Sequence, residues 1–138
     1  MPQNGAMPST RSVSVNHSVC LDVVCLCAQW CGTCGDYQDT FKALQQAMPG
    51  HRYQWIDIED EADRVGDIDI ETFPTLLVAY QGQVLFAGPV LPRLADAQRL
   101  LEAQTERVQT GAALAWAGTG LPVDQVAAWR ALAQTLSS

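Results

Sequence analysis

Val23-Val24-Cys25-Leu26-Cys27-Ala28-Gln29-Trp30-Cys31-Gly32-Thr33-Cys34 is the stretch that decides the fold. Its first half completes a nearly continuous apolar run, Val19–Cys27. Such a run suits a strand buried on both faces, in a sheet covered by helices on each side. Alternation along that strand puts Cys25 and Cys27 on the same side. The second half ends in two cysteines with two residues between them, where a helix begins. Tyr37, Phe41, Leu44 and Met48 recur on one helical face, and Pro49-Gly50 stops the pattern. The stretch therefore reads as strand, turn and helix, with two thiols at the turn.

Downstream, Tyr53–Ile58 alternates and reads as a second strand. From Asp57 to Glu71 eight carboxylates stand against the single Arg64. This reads as a solvated face, with a short helix near Asp60–Val65 and Ile68 and Ile70 packing inward; the sharper alternative is a surface selecting a basic partner. Thr75–Tyr80 is the third strand, and Gln81-Gly82 turns it into Gln83–Ala87. Pro92–Val108 reads as a helix with Pro92 in its first turn and Leu94, Ala97, Leu101 and Val108 along one side. Residues 109–121 are small and glycine-rich, extending that helix before a break at Gly118–Gly120. Pro122–Leu136 is a last amphipathic helix with Val123, Val126, Trp129, Leu132 and Leu136 on one face. Trp116 and Trp129 read as core packing.

The order is βαβ, then ββα, then an extra C-terminal helix. The expected fold class is α/β: a mixed central sheet with helices on both faces. Residues 1–17 read as a flexible N-terminal tail with a short strand at Arg11–Val15. Residues 18–108 form the domain, and 109–138 a helical extension packed on or beside it.

With 138 residues, 48% of them hydrophobic, the chain suits one domain with a real core. A net charge of −7 argues against nucleic acid and against an anionic membrane surface. No run approaches the roughly 18 apolar residues of a membrane span, and residues 1–18 show no apolar core of a signal peptide. The expectation is a cytoplasmic protein. All five cysteines, at 20, 25, 27, 31 and 34, fall in one short segment. In a reducing compartment such clustering points to metal or redox chemistry.

A Cys-X-X-Cys at a helix start has a physical use. Unpaired N–H groups and the positive end of the helix dipole stabilise a thiolate, which is the attacking species in disulfide exchange. Cys31 is then the exposed nucleophile that forms a mixed disulfide, and Cys34, one turn in, resolves it. The metal alternative needs Cys25, Cys27, Cys31 and Cys34 to converge, but the strand is very apolar and a second Cys-X-X-Cys is missing. The expected metal set is therefore none. Cys20, Cys25 and Cys27 read as buried small hydrophobes, with a redox relay or sensor as the alternative. His17 and His51 receive no role and are placed at the surface.

The quoted stretch resembles the active-site strand and turn of thioredoxins. Phe73-Pro74-Thr75, followed by Leu76-Leu77-Val78, is similar to the family's Pro-Thr before a core strand, and Gly82 and Gly88 match its hairpin glycines. The resemblance covers about residues 18–108. It implies a thioredoxin-like fold and thiol–disulfide oxidoreductase activity through Cys31 and Cys34. It implies a cis Pro74 beside the active site and a substrate groove of Trp30, Gly32, Thr33, Phe73, Pro74, Thr75 and Gly88. No cofactor beyond the dithiol is implied. Partners would be protein disulfides and an upstream reductase or small thiol, with a monomer expected.

The chain also departs from the family. The buried Asp that serves the second cysteine is matched by Cys25, and its Lys neighbour by Trp55. Thr33 replaces the usual Pro between the cysteines, which predicts a more oxidising couple than thioredoxin's. About 18 residues precede the active-site strand, too few for the family's first strand and helix. The missing Asp–Lys pair and the extra C-terminal helix favour an alternative, a thioredoxin-like adaptor or redox sensor with little turnover, against which stand the intact Cys31, Cys34 and Pro74. A glutathione-using, glutaredoxin-like activity is a third reading, disfavoured by Trp30 and the Gly-Thr dipeptide.

Overall fold

Strand β1 runs over Asp22–Cys27, and all six of its residues are buried. The computed structural model describes residues 19–111 and 121–136. The expected tail with its strand at Arg11–Val15, His17, Trp116 and the Gly118–Gly120 break lie outside the described residues. The apolar run starts earlier than the strand, at Val19. Just ahead of the strand the Leu21 carbonyl accepts from the Arg52 N–H (2.8 Å), while the Leu21 N–H donates to His51 Nδ1 (3.0 Å).

Helix α1 follows at Gly32–Ala47 and buries Cys34, Tyr37, Phe41 and Leu44, the face expected from the spacing. Strand β2 is Arg52–Asp57, α2 is Ala62–Val65, β3 is Thr75–Tyr80 and β4 is Gln83–Pro89. Gln81 (φ 51°) and Gly82 (φ 83°) make the tight turn between β3 and β4. Both central residues take positive φ, as the twist of a two-residue hairpin requires. Helix α3 spans Leu94–Thr110 and α4 spans Val123–Leu136. Pro92 lies ahead of α3 rather than in its first turn, since Arg93 is the N-cap. At the other end Gly111 adopts the left-handed conformation and caps the helix (φ 80°).

The sheet order is β2-β1-β3-β4. β1 pairs parallel with β2 and antiparallel with β3, and β3 pairs antiparallel with β4. This is the expected mixed sheet, with helices on both faces and an additional C-terminal helix.

β1 divides its side chains between two cores. Val23, Cys25 and Cys27 face α1 and α3, packing with Cys34, Tyr37, Phe41, Leu44, Ala97 and Leu101. Val24 and Leu26 face the other way, packing with Val65, Ile68, Trp129, Leu132 and Ala133. Ile70 is only partly buried against that second core. Trp129 anchors α4 there, whereas Val123, expected on the same apolar face, is 87% exposed at the helix start. A buried glutamine replaces it. Gln125 Oε1 accepts from the Asp69 N–H (2.8 Å) and its Nε2 donates to the Asp67 carbonyl (2.9 Å), tying α4 to the loop after α2. The Asp57–Glu71 carboxylates are half-buried or exposed, as a solvated face requires.

Candidate active site

The first turn of α1 is where the thiols meet the surface. Cys31 is the N-cap, with extended backbone (φ −86°, ψ 123°), and no side chain caps the helix there. The Cys31 N–H donates to the Ala28 carbonyl (3.0 Å), so the chain leaves β1 through a tight turn straight into the helix. The N–H groups of a first helical turn lack carbonyl partners, so this position offers fixed positive charge to an anion. Cys31 is half-buried and unbonded. Trp30 beside it is 68% exposed. Gly32 and Thr33 are exposed at the helix start, and Cys34 is buried.

The Phe73-Pro74 peptide bond is cis. The β1–β3 register pairs Leu26 with Thr75. Continued one step, it brings Pro74 alongside Cys27, at the end of β1 from which the active-site turn departs. Phe73 meets Trp30 edge to face, with ring centroids 5.8 Å apart. Thr75 Oγ1 donates to the Thr72 carbonyl (2.6 Å), and the Val90 N–H donates to the Pro74 carbonyl (3.1 Å), which anchors the loop on both sides. Trp30 and Phe73 thus meet beside the active-site turn, whereas Pro74 and Thr75, expected to line the groove, are buried beneath it because they open the central strand β3. Gly88 sits one strand further out, on β4 opposite Leu76.

The sulfur pairing differs from the expectation. Cys34 is bonded to Cys27, not to Cys31. The two Cα atoms are 5.7 Å apart, within the range a disulfide spans without moving the backbone. The cause is the side assignment along β1: Cys27 points toward α1, and Cys34 is the first α1 residue to point back into the same core. Cys27 is therefore not an inert hydrophobe. Cys20 is not one either, because it is exposed. Cys25 is buried as expected, and its Sγ lies 3.9 Å from Cys27 Sγ. Cys27 carries no hydrogen in its disulfide, so the Cys25 S–H is the donor of that contact. Among the described residues, no group of three or more His, Cys, Asp or Glu is arranged to hold a metal ion.

Burial pushes the Cys25 thiol far up, so it is neutral at ordinary pH. It is held opposite Trp55 in the β1–β2 register. Neither residue can take up the proton of Cys34 as a carboxylate would. Tyr37, in the same core, has its hydroxyl pushed up by burial first, then by neighbouring Cys25 and Asp96. That hydroxyl has no hydrogen-bond partner among the described residues. His51 is half-buried rather than at the surface; burial lowers its pKa, and its Nδ1 already accepts from Leu21.

The Thioredoxin family model matches residues 10–90. The chain belongs to the thioredoxin family. Solved thioredoxins share its fold. The Fasciola hepatica thioredoxin superposes with a TM-score of 0.56 at 19% identity, covering 62% of this chain and 81% of that one. The germline-specific thioredoxin Deadhead of Drosophila melanogaster gives 0.54 at 18% identity, covering 63% and 83%. Mitochondrial thioredoxin 3 of Saccharomyces cerevisiae, in its oxidised form, gives 0.54 at 20% identity, covering 64% and 83%. No curated protein sequence matches the chain. A thioredoxin fold with a disulfide among the thiols at its active-site turn supports thiol–disulfide redox chemistry, an activity of the oxidoreductase kind. In this thioredoxin-family chain two of the thiols, Cys25 and Cys27, stand on β1. The sequence already placed these two on one side of the strand. What it did not reveal was that α1 would deliver Cys34, rather than Cys31, to that side.

Proposed function

We propose that the protein exchanges protein disulfides, with Cys31 as the attacking thiol and Cys34 as the resolving one. The observation that carries this reading is the placement of Cys31. It is an unbonded, half-buried thiol at the N-cap of α1, beside the exposed Trp30 and the Phe73-Pro74 loop. In the forward step the Cys31 thiolate attacks a substrate disulfide, forming a mixed disulfide and releasing one substrate thiolate. Cys34 then attacks the Cys31 sulfur, releasing the second substrate thiolate and leaving an oxidised protein. Electrons come from an upstream reductase or a small thiol, and no cofactor beyond the thiols is invoked. Trp30, Gly32, Thr33, Phe73 and Gly88 line the groove in which an extended substrate segment lies. The proposed setting is the reducing cytoplasm and the proposed unit a monomer.

The adaptor reading draws support from one observation, that Cys25 and Trp55 supply no proton acceptor for Cys34. Insulin reduction driven by dithiothreitol separates the two. The wild type should accelerate it, and Cys31→Ser should fall to the rate of dithiothreitol alone. Cys34→Ser should retain a covalent adduct with an insulin chain. A wild type without acceleration, together with no adduct, would establish the adaptor.

A further inference from the structure

We propose that Cys27 is a third redox cysteine, which takes Cys34 away from Cys31 and stores the oxidised state inside the core. The proposal rests on the reading of Cys31 as the attacking thiol.

Three observations carry it. Cys34 is bonded to Cys27, with backbones at ordinary disulfide separation. Both residues are almost fully buried, at 1% and 2% exposure, whereas Cys31 reaches the surface. The Cys25 S–H stands 3.9 Å from the Cys27 sulfur, so that sulfur has a hydrogen-bond donor beside it whenever its bond to Cys34 breaks.

The chemistry balances without an added oxidant. Turnover with a substrate disulfide leaves a Cys31–Cys34 bond. The Cys27 thiol attacks Cys34 Sγ and gives its proton up to solvent. The Cys27–Cys34 bond forms, the Cys31–Cys34 bond breaks, and Cys31 leaves as a thiolate that takes a proton from solvent. One disulfide and one thiol exist before and after, so no electrons are gained or lost. Burial disfavours a free thiolate at Cys27, which makes this step slow relative to exchange at the surface. The isomer therefore builds up at rest rather than during turnover.

The consequence is a change of state. With Cys34 held in the core, Cys31 is a single thiol that can join a partner through a mixed disulfide, but no resolving thiol releases that partner. External reductants cannot reach the buried bond directly. Resetting requires the Cys31 thiolate to attack Cys34, returning the disulfide to the surface. Cys31 is thus the only route by which the core disulfide is reduced in the folded protein.

Disulfide mapping tests this on the full chain carrying Cys20→Ser, which removes the exposed thiol outside the site. The protein is oxidised with excess oxidised glutathione, incubated, alkylated in acid and cut with chymotrypsin. Cleavage after Trp30 places Cys27 on one peptide and Cys31 with Cys34 on the next. The expected product is the two peptides cross-linked through Cys27 and Cys34, with Cys31 alkylated or glutathionylated. The added variant Cys31→Ser should form this cross-link about tenfold more slowly than the protein that keeps Cys31, or not at all, because the buried pair exchanges with glutathione through Cys31. A closed Cys31–Cys34 loop with Cys27 alkylated in the protein that keeps Cys31 overturns the proposal. Equal cross-linking rates in the two proteins overturn the role of Cys31 as the route. Insulin reduction reads the exchange activity separately: a cross-link without insulin turnover defeats the proposed function and leaves the Cys27–Cys34 pairing standing.

Discussion

Toward α1 and α3 the sheet buries Cys25, Cys27 and Cys34 with Tyr37, whose hydroxyl has no partner among the described residues; toward α2 and α4 it buries Trp129, Leu132 and Ala133. The polar Gln125 on the α4 side is bonded at both ends of its amide. One strand serves both faces, with successive β1 residues facing opposite ways. The comparison shows how a small domain separates its tasks. The α4 face is apolar and polar-satisfied, which is what stability requires. The α1 face tolerates reactive sulfurs and an orphaned phenol, because the groups that do chemistry must be buried next to one another.

The largest test of that division is Trp129→Ala. A fully packed indole removed from the α4 face should cost about 3–5 kcal/mol in urea unfolding, with the disulfide map unchanged. A cost near zero would mean that α4 is a loose appendage and that the second face is not a core.

Tyr37→Phe probes the opposite face. Removing a buried hydroxyl that has no partner should stabilise the fold by about 1 kcal/mol, read in the same unfolding experiment. A loss of stability would show that the phenol is satisfied in solution, and the contrast between the faces would weaken.

The smallest effect is a pH dependence at the rim of the α1 face. Burial holds His51 below its usual pKa, and its Nδ1 accepts from Leu21. In the unfolded chain it takes a proton at about pH 6.5, while in the fold it stays neutral to lower pH. Stability is therefore unaffected by this group well above about pH 6.5, declines as pH falls from there toward the depressed folded value, and levels off below it. His51→Asn keeps an acceptor for the Leu21 N–H and should remove that part of the decline in thermal melts between pH 7 and pH 5. An unchanged pH profile would assign the acid sensitivity to other groups.

Much of this was legible in the sequence. The apolar β1 run, the helical spacing of Tyr37, Phe41 and Leu44, and the Thr75–Tyr80 hairpin are set by local periodicity, and each formed where the pattern placed it within a few residues. The position of Cys31 at a helix start also followed from local pattern, and the cis Pro74 from the resemblance to thioredoxins. Where pattern failed, a long-range partner had intervened. Val123 lost its place on the buried face of α4 to Gln125, because the loop at Asp67 and Asp69 offered it a donor and an acceptor. His51 was drawn inward because Leu21, thirty residues earlier, needed an acceptor.

Thus the sequence alone determined that five thiols fall in one strand–turn–helix segment of an α/β domain, since strand and helix periods are properties of neighbouring residues. Only the tertiary structure decided which thiols touch. The packing of α1 against β1 turns Cys34 toward Cys27 and Cys25, and leaves Cys31 at the surface.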